Sequence, residues 1–496
     1  MLAAVCALAV LGLGACADDP SGPAANGATT APSAATGPTT TSLPAPDGGS
    51  PVGEPDVGDP LTPGSGNGGF DVGHYDVRID ATAPDGHLSI TTTITATATR
   101  RLERFDLDLA GMEVGEVTVD GAAAGIERHG DELQVTPAAP VDGGREMEVV
   151  VRYSGVPEPV LDGALGEEIG WTTTSDGDSF VVSEPDGAKS FLASSDHPSD
   201  KATFTFRLRT AADEVGVANG VLESRQPDGG AVEWVWQMRQ PMATYLVQVA
   251  IGDYELVDGG TAGSVPIRHV VVQGVTDRQR APLDATAEIV DLFTERFGPY
   301  PFDTVGVLVA DSPPSFALET QGLVILPAVW FTGGMPEDEL VLIVAHELAH
   351  QWFGNAVTPA RWSDIWLNEG FATWAEWWWS EHLDTGTIAA RAEATVPLAS
   401  KWRRQFGPII EPTALTLFSP NQYGGAGLVV EALRRTIGDE AFDRLIREWL
   451  GRHSGTSVTT DDFTALAEEV SGRDLDAFFD AWLRSTKMPD LPPLPR

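Results

Sequence analysis

His346-Glu347-Leu348-Ala349-His350 places two imidazoles at i and i+4, one turn apart on the same side of a helix. Glu369 follows after eighteen intervening residues. Two neutral imidazoles and a carboxylate form a ligand set for zinc that leaves a fourth position open for water. A glutamate directly after the first histidine can reach such a water without binding the metal. The chemistry to expect is metal-assisted hydrolysis. The competing reading is a structural helix whose histidines merely share a face. Glu369, within Trp366-Leu367-Asn368-Glu369-Gly370-Phe371-Ala372, weighs against it by supplying the third ligand type near the start of a second helical stretch.

The elements that must carry these groups are legible around them. Pro336 suits a first helical turn, and Glu337, Asp338 and Glu339 suit the positive end of the helix dipole. Leu340, Ile343 and Val344 repeat at helical spacing and Gly354 offers a stop, so a helix is expected over 336–354. The next helix, 363–383, carries Trp374, Trp377 and Trp378, which read as packing. Further helices are expected over 281–297, 427–436, 440–451, 460–471 and 475–485. A strand-like pair around 304–310 and 322–326 would give a sheet edge where an extended peptide adds as a strand. Between 70 and 256 the texture is different. Tyr75, Val77 and Ile79 alternate with polar residues, as do Leu88, Ile90 and Ile94, and Asp-Gly and Gly-Gly turns separate the runs. That is the pattern of an antiparallel β domain.

The chain has 496 residues, room for roughly two to four domains. Its formal charge of −41 opposes binding to nucleic acid, whose phosphates need Lys and Arg. The only cysteines are Cys6 and Cys16, so any metal in the body of the protein is held by nitrogen and oxygen. Residues 1–15 are apolar and uncharged, too short for an ordinary transmembrane helix, and fit a signal-peptide core, although no Lys or Arg precedes them. They end in Leu13-Gly14-Ala15-Cys16, which resembles a bacterial lipobox. That resemblance implies cleavage before Cys16, lipidation of its sulfur and an extracytoplasmic, membrane-anchored protein. Residues 16–69 are rich in Pro, Gly, Ser, Thr and Ala, hold no Lys or Arg, and are expected to be a disordered tether. The expected division is therefore signal 1–15, tether 16–69, β domain 70–256 and catalytic domain 257–496.

The full pattern resembles the aminopeptidase N family of gluzincin zinc peptidases over residues 70–491. The motifs that carry it are the HExxH segment with Gln351-Trp352-Phe353-Gly354 and the segment around Glu369. Asp196-His197-Pro198-Ser199-Asp200-Lys201 and Pro241-Met242-Ala243-Thr244-Tyr245-Leu246 carry it more weakly. The resemblance implies a multidomain α+β fold: an N-terminal antiparallel β domain, then a thermolysin-like, mainly helical zinc peptidase domain. It implies one Zn2+ per chain on His346, His350 and Glu369, with Glu347 as general base. Tyr423 matches the family's tyrosine donor to the oxyanion, although Gly425 and Ala426 stand where a basic residue and a glycine are usual. Ala317 and Glu319 match a Gly-Ala-Met-Glu-Asn motif that holds the substrate's amino terminus; its glycine, methionine and asparagine places read Phe316, Leu318 and Thr320. Glu184 matches a second acidic contact, with Val182 where a glutamine is usual. The partners implied are peptides with a free N-terminus. The chain ends soon after a segment resembling the close of the catalytic domain, so the family's large helical-repeat domain is expected to be absent and the cleft more open. Two other readings compete: a zinc endopeptidase of altered specificity, suggested by the rewritten 316–322 segment, and a catalytically idle surface-binding protein, which retention of all four zinc-site residues opposes.

Overall fold

The structure is a computed structural model that describes residues 50–162, 166–311 and 317–494. The expected signal peptide, Cys16 and Phe316 lie outside the described residues.

The N-terminal domain is built on an eight-stranded sheet whose centre is Phe70–Asp80, Leu88–Ala98, Lys201–Ala211 and Ala231–Ala243. Burial alternates along Leu88–Ala98, so one face packs inward and the other meets solvent. The sheet is antiparallel as expected, except that Phe70–Asp80 runs parallel to Lys201–Ala211. The long intervening chain supplies the crossover that a parallel pair needs. A five-stranded sheet packs with it, and its fully buried strand Ser179–Val182 leads directly into Ser183 and Glu184.

A four-stranded sheet opens the second domain: Tyr254–Ala262, Val265–Val272, Val307–Ala310 and Val324–Pro327. Because Tyr254 already belongs to this sheet, the division expected at 256 falls a few residues earlier. The last three strands are parallel and the final two wholly buried, which explains their uninterrupted apolar sequences. The helices Glu337–Ala349 and Trp366–His382 cross beneath, followed by Ile388–Phe406, Ala426–Ile437, Asp439–His453 and Thr460–Ser471. The expected 336–354 helix stops at Ala349, five residues before Gly354. There the carbonyls of His350, Gln351 and Trp352 accept from the amides of Asn355, Ala356 and Val357, which winds the chain into a wider turn. The helix over Ile388–Phe406 is not expected from sequence, because Pro397 sits inside it and reads as a breaker.

The two domains are joined by polar bonds next to the cleft. Asn219 Nδ2 donates to the carbonyls of Leu246 (3.0 Å) and Gln321 (2.9 Å), and Gln321 N donates to Leu246 O (3.2 Å). Ser457 Oγ donates to Pro198 O at 2.7 Å.

Residues 50–69 overturn the expectation that the tether runs to 69. Gly53 N donates to Arg104 O (2.8 Å), and Gly68 N to Glu54 O (2.9 Å). Gly66 has φ +75, and a Cβ there would come within 2.5 Å of the His197 Cβ, so this close approach requires glycine. Asp59 is 6% exposed; it accepts from the backbone of Trp362 (2.8 Å) in the catalytic domain and faces His197 Nε2 (3.3 Å) in the β domain. A segment poor in apolar residues is thus fixed by hydrogen bonds rather than by burial of side chains. Asp59→Ala strands a buried amide and the His197 ring, and should lower stability by roughly 2–4 kcal/mol. An unchanged urea midpoint would show that the segment contributes nothing to the fold.

Candidate active site

Four buried glutamates meet two buried histidines where the domains touch: Glu184, Glu319, Glu347, Glu369, His346 and His350. The helix Glu337–Ala349 presents His346 and Glu347, and His350 caps its end. Glu369 lies in the first turn of Trp366–His382. His346 Nε2 and His350 Nε2 stand 3.3 and 3.5 Å from Glu369 Oε2. Ligand atoms about 2.0–2.2 Å from one tetrahedral ion lie about 3.3–3.6 Å apart. These three groups therefore fit a zinc ion as they stand.

The outward nitrogen of the His350 ring is also held, and that of His346 faces an acid. His350 Nδ1 donates to Phe353 O at 3.0 Å, which fixes the tautomer that leaves Nε2 free to ligate. His346 Nδ1 faces Glu376 at 3.7 Å, and Glu376 is in turn 3.8 Å from Arg391. Glu376 was not singled out from sequence. Its signal is its place seven residues after Glu369, two turns along the same helix face.

The electrostatics are those of a cation site. Burial works against protonated histidine, yet Glu369 and Glu376 hold His346 well above the usual imidazole range, while Glu319 and Glu369 push His350 up to about 9. Burial also opposes charge on Glu369, but the two histidines bring it down to about 2. Burial pushes Glu347 up to about 7. Burial, then repulsion from Glu319, Glu369 and Glu347, drives Glu184 well above the carboxylate range, and burial raises Glu319 as well.

Glu319 is 3% and Glu184 7% exposed, and Oε1 of each has no hydrogen-bond partner. Glu184 comes from the β domain, at the cis bond before Pro185. Glu319 comes from the chain beside the catalytic sheet, where Leu318 bridges to Ile325. Ala317 precedes that bridge and is half-buried. The Glu319 carbonyl accepts from Asn355 Nδ2 (2.6 Å) and Gln351 Nε2 (3.2 Å), and Gln351 Oε1 accepts from Gly322 N (2.8 Å). Buried carboxylates are costly without a counter-charge. The two orphan oxygens therefore point to a cationic ligand.

Tyr423 lies on a π-turn, Asn421–Gly425, that runs into Ala426–Ile437. Its ring stacks on that of His346, with centroids 6.1 Å apart. The departures from the family pattern at Gly425 and Ala426 fit tight packing. A Cβ on Gly425 would meet Asn421 Oδ1 at 2.6 Å, and one on Gly370 would meet the Ala426 Cβ at 2.9 Å. Small residues thus let the tyrosine turn and the helix after it approach the helix that carries Glu369.

Chelator-treated protein should lose its zinc and unfold at a lower temperature. One equivalent of Zn2+ should restore the transition, with a gain of roughly 4 kcal/mol at a thousandfold excess over Kd. His350→Ala should show no such response; an equal response in that variant would place the metal elsewhere.

Two family models match this chain: the peptidase M1 N-terminal domain over residues 72–246 and the peptidase family M1 domain over 281–482. Among curated relatives, Aminopeptidase M1 of Arabidopsis thaliana is 28% identical over 62% of this chain and 36% of its own length. Aminopeptidase M1-A of Oryza sativa is 25% identical over 84% of this chain and 50% of its own. The chain thus spans about half or less of the length of these relatives. The crystal structure of an M1 zinc metallopeptidase from Deinococcus radiodurans is 30% identical, with a TM-score of 0.78, covering 88% of this chain and 99% of that one. A mutant of that enzyme has been solved with a Tyr-Ser-Ala substrate bound (TM-score 0.79). The two domains match in order, the Deinococcus chain is matched almost end to end, and the histidines and glutamates converge where a zinc would sit; on these grounds the chain belongs to peptidase family M1.

Proposed function

We propose that this chain is a zinc aminopeptidase that removes residues from the free N-terminus of peptides. The observation that carries this reading is the pair of buried, partly unpartnered carboxylates, Glu184 and Glu319, one from each domain, beside the metal ligands. A substrate ammonium loses its hydration on entering such a pocket and needs anionic partners there. A peptide bound by these two groups has its first peptide bond next to Glu347 and the His346–His350–Glu369 set. The backbone around Leu318 lies along the sheet edge and supports the reading that substrate binds in extended form.

A zinc ion held by His346, His350 and Glu369 would serve as a Lewis acid toward the scissile carbonyl and would acidify the attacking water. Glu347 would take the proton of the attacking water on its carboxylate and deliver it to the leaving amine; burial, which raises its affinity for protons, suits it to the first transfer. Tyr423 donates its phenolic proton in a hydrogen bond to the developing oxyanion. The Phe353 carbonyl holds the His350 imidazole in orientation, and Glu376 places a negative charge 3.7 Å from His346 Nδ1.

We also propose that the protein is extracytoplasmic and anchored through a lipid on Cys16. The lipobox-like Leu13-Gly14-Ala15-Cys16 supports this, and no helix among the described residues is long and apolar enough to cross a membrane.

Amino-acyl-p-nitroanilides should be cleaved, and their N-acetylated counterparts should not. Equal turnover of both would favour the endopeptidase reading instead. Glu347→Gln should keep zinc and lose roughly two or more orders of magnitude in rate. Tyr423→Phe should lose about two to three orders in kcat. Glu319→Gln should raise KM for the free amine most. Cys16→Ala should move the protein from the detergent to the aqueous phase in Triton X-114 partitioning; an unchanged distribution would end the anchor proposal.

A further inference from the structure

Lys201 lies on the central sheet of the β domain, at the start of Lys201–Ala211. Its side chain crosses to the catalytic domain. Nζ donates to Asn355 O (2.7 Å), Thr358 Oγ1 (2.7 Å) and Ala356 O (3.2 Å). An ammonium has three hydrogens, and three acceptors surround this one. No carboxylate is among them. The lysine therefore clasps the backbone of one turn rather than pairing with an acid.

That turn follows directly on the metal-binding helix. Asn355 is fully buried, and its amide donates to His350 O at 3.0 Å. Its side-chain Nδ2 donates to Glu319 O at 2.6 Å. A three-link path thus runs from the β domain to the acid beside the zinc ligands: Lys201 ammonium, Asn355 main chain, Asn355 side chain, Glu319 main chain. Leu318, the neighbouring residue, is held by paired bonds to Ile325 (3.1 and 2.9 Å). With the backbone fixed on both sides, the Glu319 carboxylate is aimed into the cleft without a partner for its Oε1.

We propose that Lys201 is a positioning residue for recognition of the substrate's amino group, acting on Glu319 through Asn355. This rests on the aminopeptidase reading. It adds that the β domain controls affinity for the amine in two ways: directly through Glu184 and indirectly through Lys201. Gln351 shares the Glu319 carbonyl, so loss of the lysine tilts the carboxylate rather than releasing it. His346, Glu347 and Glu369 sit on helices that Lys201 does not touch, and His350, whose carbonyl meets the Asn355 amide, is also held at its ring by Phe353 O. The effect therefore falls chiefly on amine binding.

The test uses the full-length, zinc-loaded enzyme and leucyl-p-nitroanilide, with acetohydroxamate as an amine-free ligand for the metal. Lys201→Met should raise KM on the order of ten- to a hundredfold, as a displaced binding group does, with kcat within about threefold. Zinc content and acetohydroxamate inhibition should be unchanged. Asn355→Ala leaves the lysine's backbone bonds in place and should show the same selective rise in KM. The double variant should be little worse than either single one, because the two act in series. The proposal is overturned if Asn355→Ala leaves KM unaltered, whether or not Lys201→Met folds. It is also overturned if Lys201→Met weakens acetohydroxamate and kcat as much as KM. Glu319→Gln separates the two levels: if it leaves KM for the free amine unchanged, the aminopeptidase reading itself fails, independently of Lys201.

Discussion

The constraint on which this structure turns is the burial of Glu184, Glu319, Glu347 and Glu369 in one pocket. Like charges in a water-poor region raise one another's energy, and among the described residues no lysine or arginine forms an ion pair with any of the four. The acids around His346 and His350 favour positive charge on both rings, the mark of a site that suits a cation. A divalent cation at the histidine end and a monovalent cation at the Glu184–Glu319 end would relieve the repulsion at both places. The pocket is built for two cations, and its chemistry follows from what meets that demand.

Holding acids in so unfavourable a place needs a rigid surround, and the surround is visible in the packing. Phe353 stacks on Phe371 with centroids 4.4 Å apart, tying the end of the metal-binding helix to the next helix. Phe293, Phe297 and Trp352 pack edge to face behind it. Trp374 donates to the buried Glu431, which Arg434 and Arg435 both hold. The aromatic run in the second helix is therefore packing, as its sequence suggests. Its role is to stop the two helices sliding relative to one another.

The chemistry was more legible in the sequence than its support. The i, i+4 histidines and the distant Glu369 identify themselves because metal coordination restricts residue type and spacing together. Glu376 does not, since an acid on a helix is common and only the fold shows that it meets His346 Nδ1. The β domain was legible from period-two alternation, but not its one parallel pair, because register between distant strands leaves no local trace. The helix Ile388–Phe406 was hidden by Pro397. Residues 50–69 misled for a different reason: Gly, Pro and Asp are the residues of disorder and equally of tight hydrogen-bonded turns. Which of the two they form depends on partners such as Arg104 and Trp362, remote in sequence.

The seam between the domains divides the site. Asp59, Asn219, Lys201 and Ser457 stitch the two domains with polar bonds, beside a hydrophobic core that runs through both and an edge-to-face contact of Tyr245 on Trp362. All three metal ligands come from one side of this seam, whereas Glu184 and Glu319 come from opposite sides. The metal set is therefore complete within one domain, while the proposed grip on a substrate's first residue exists only where two domains meet.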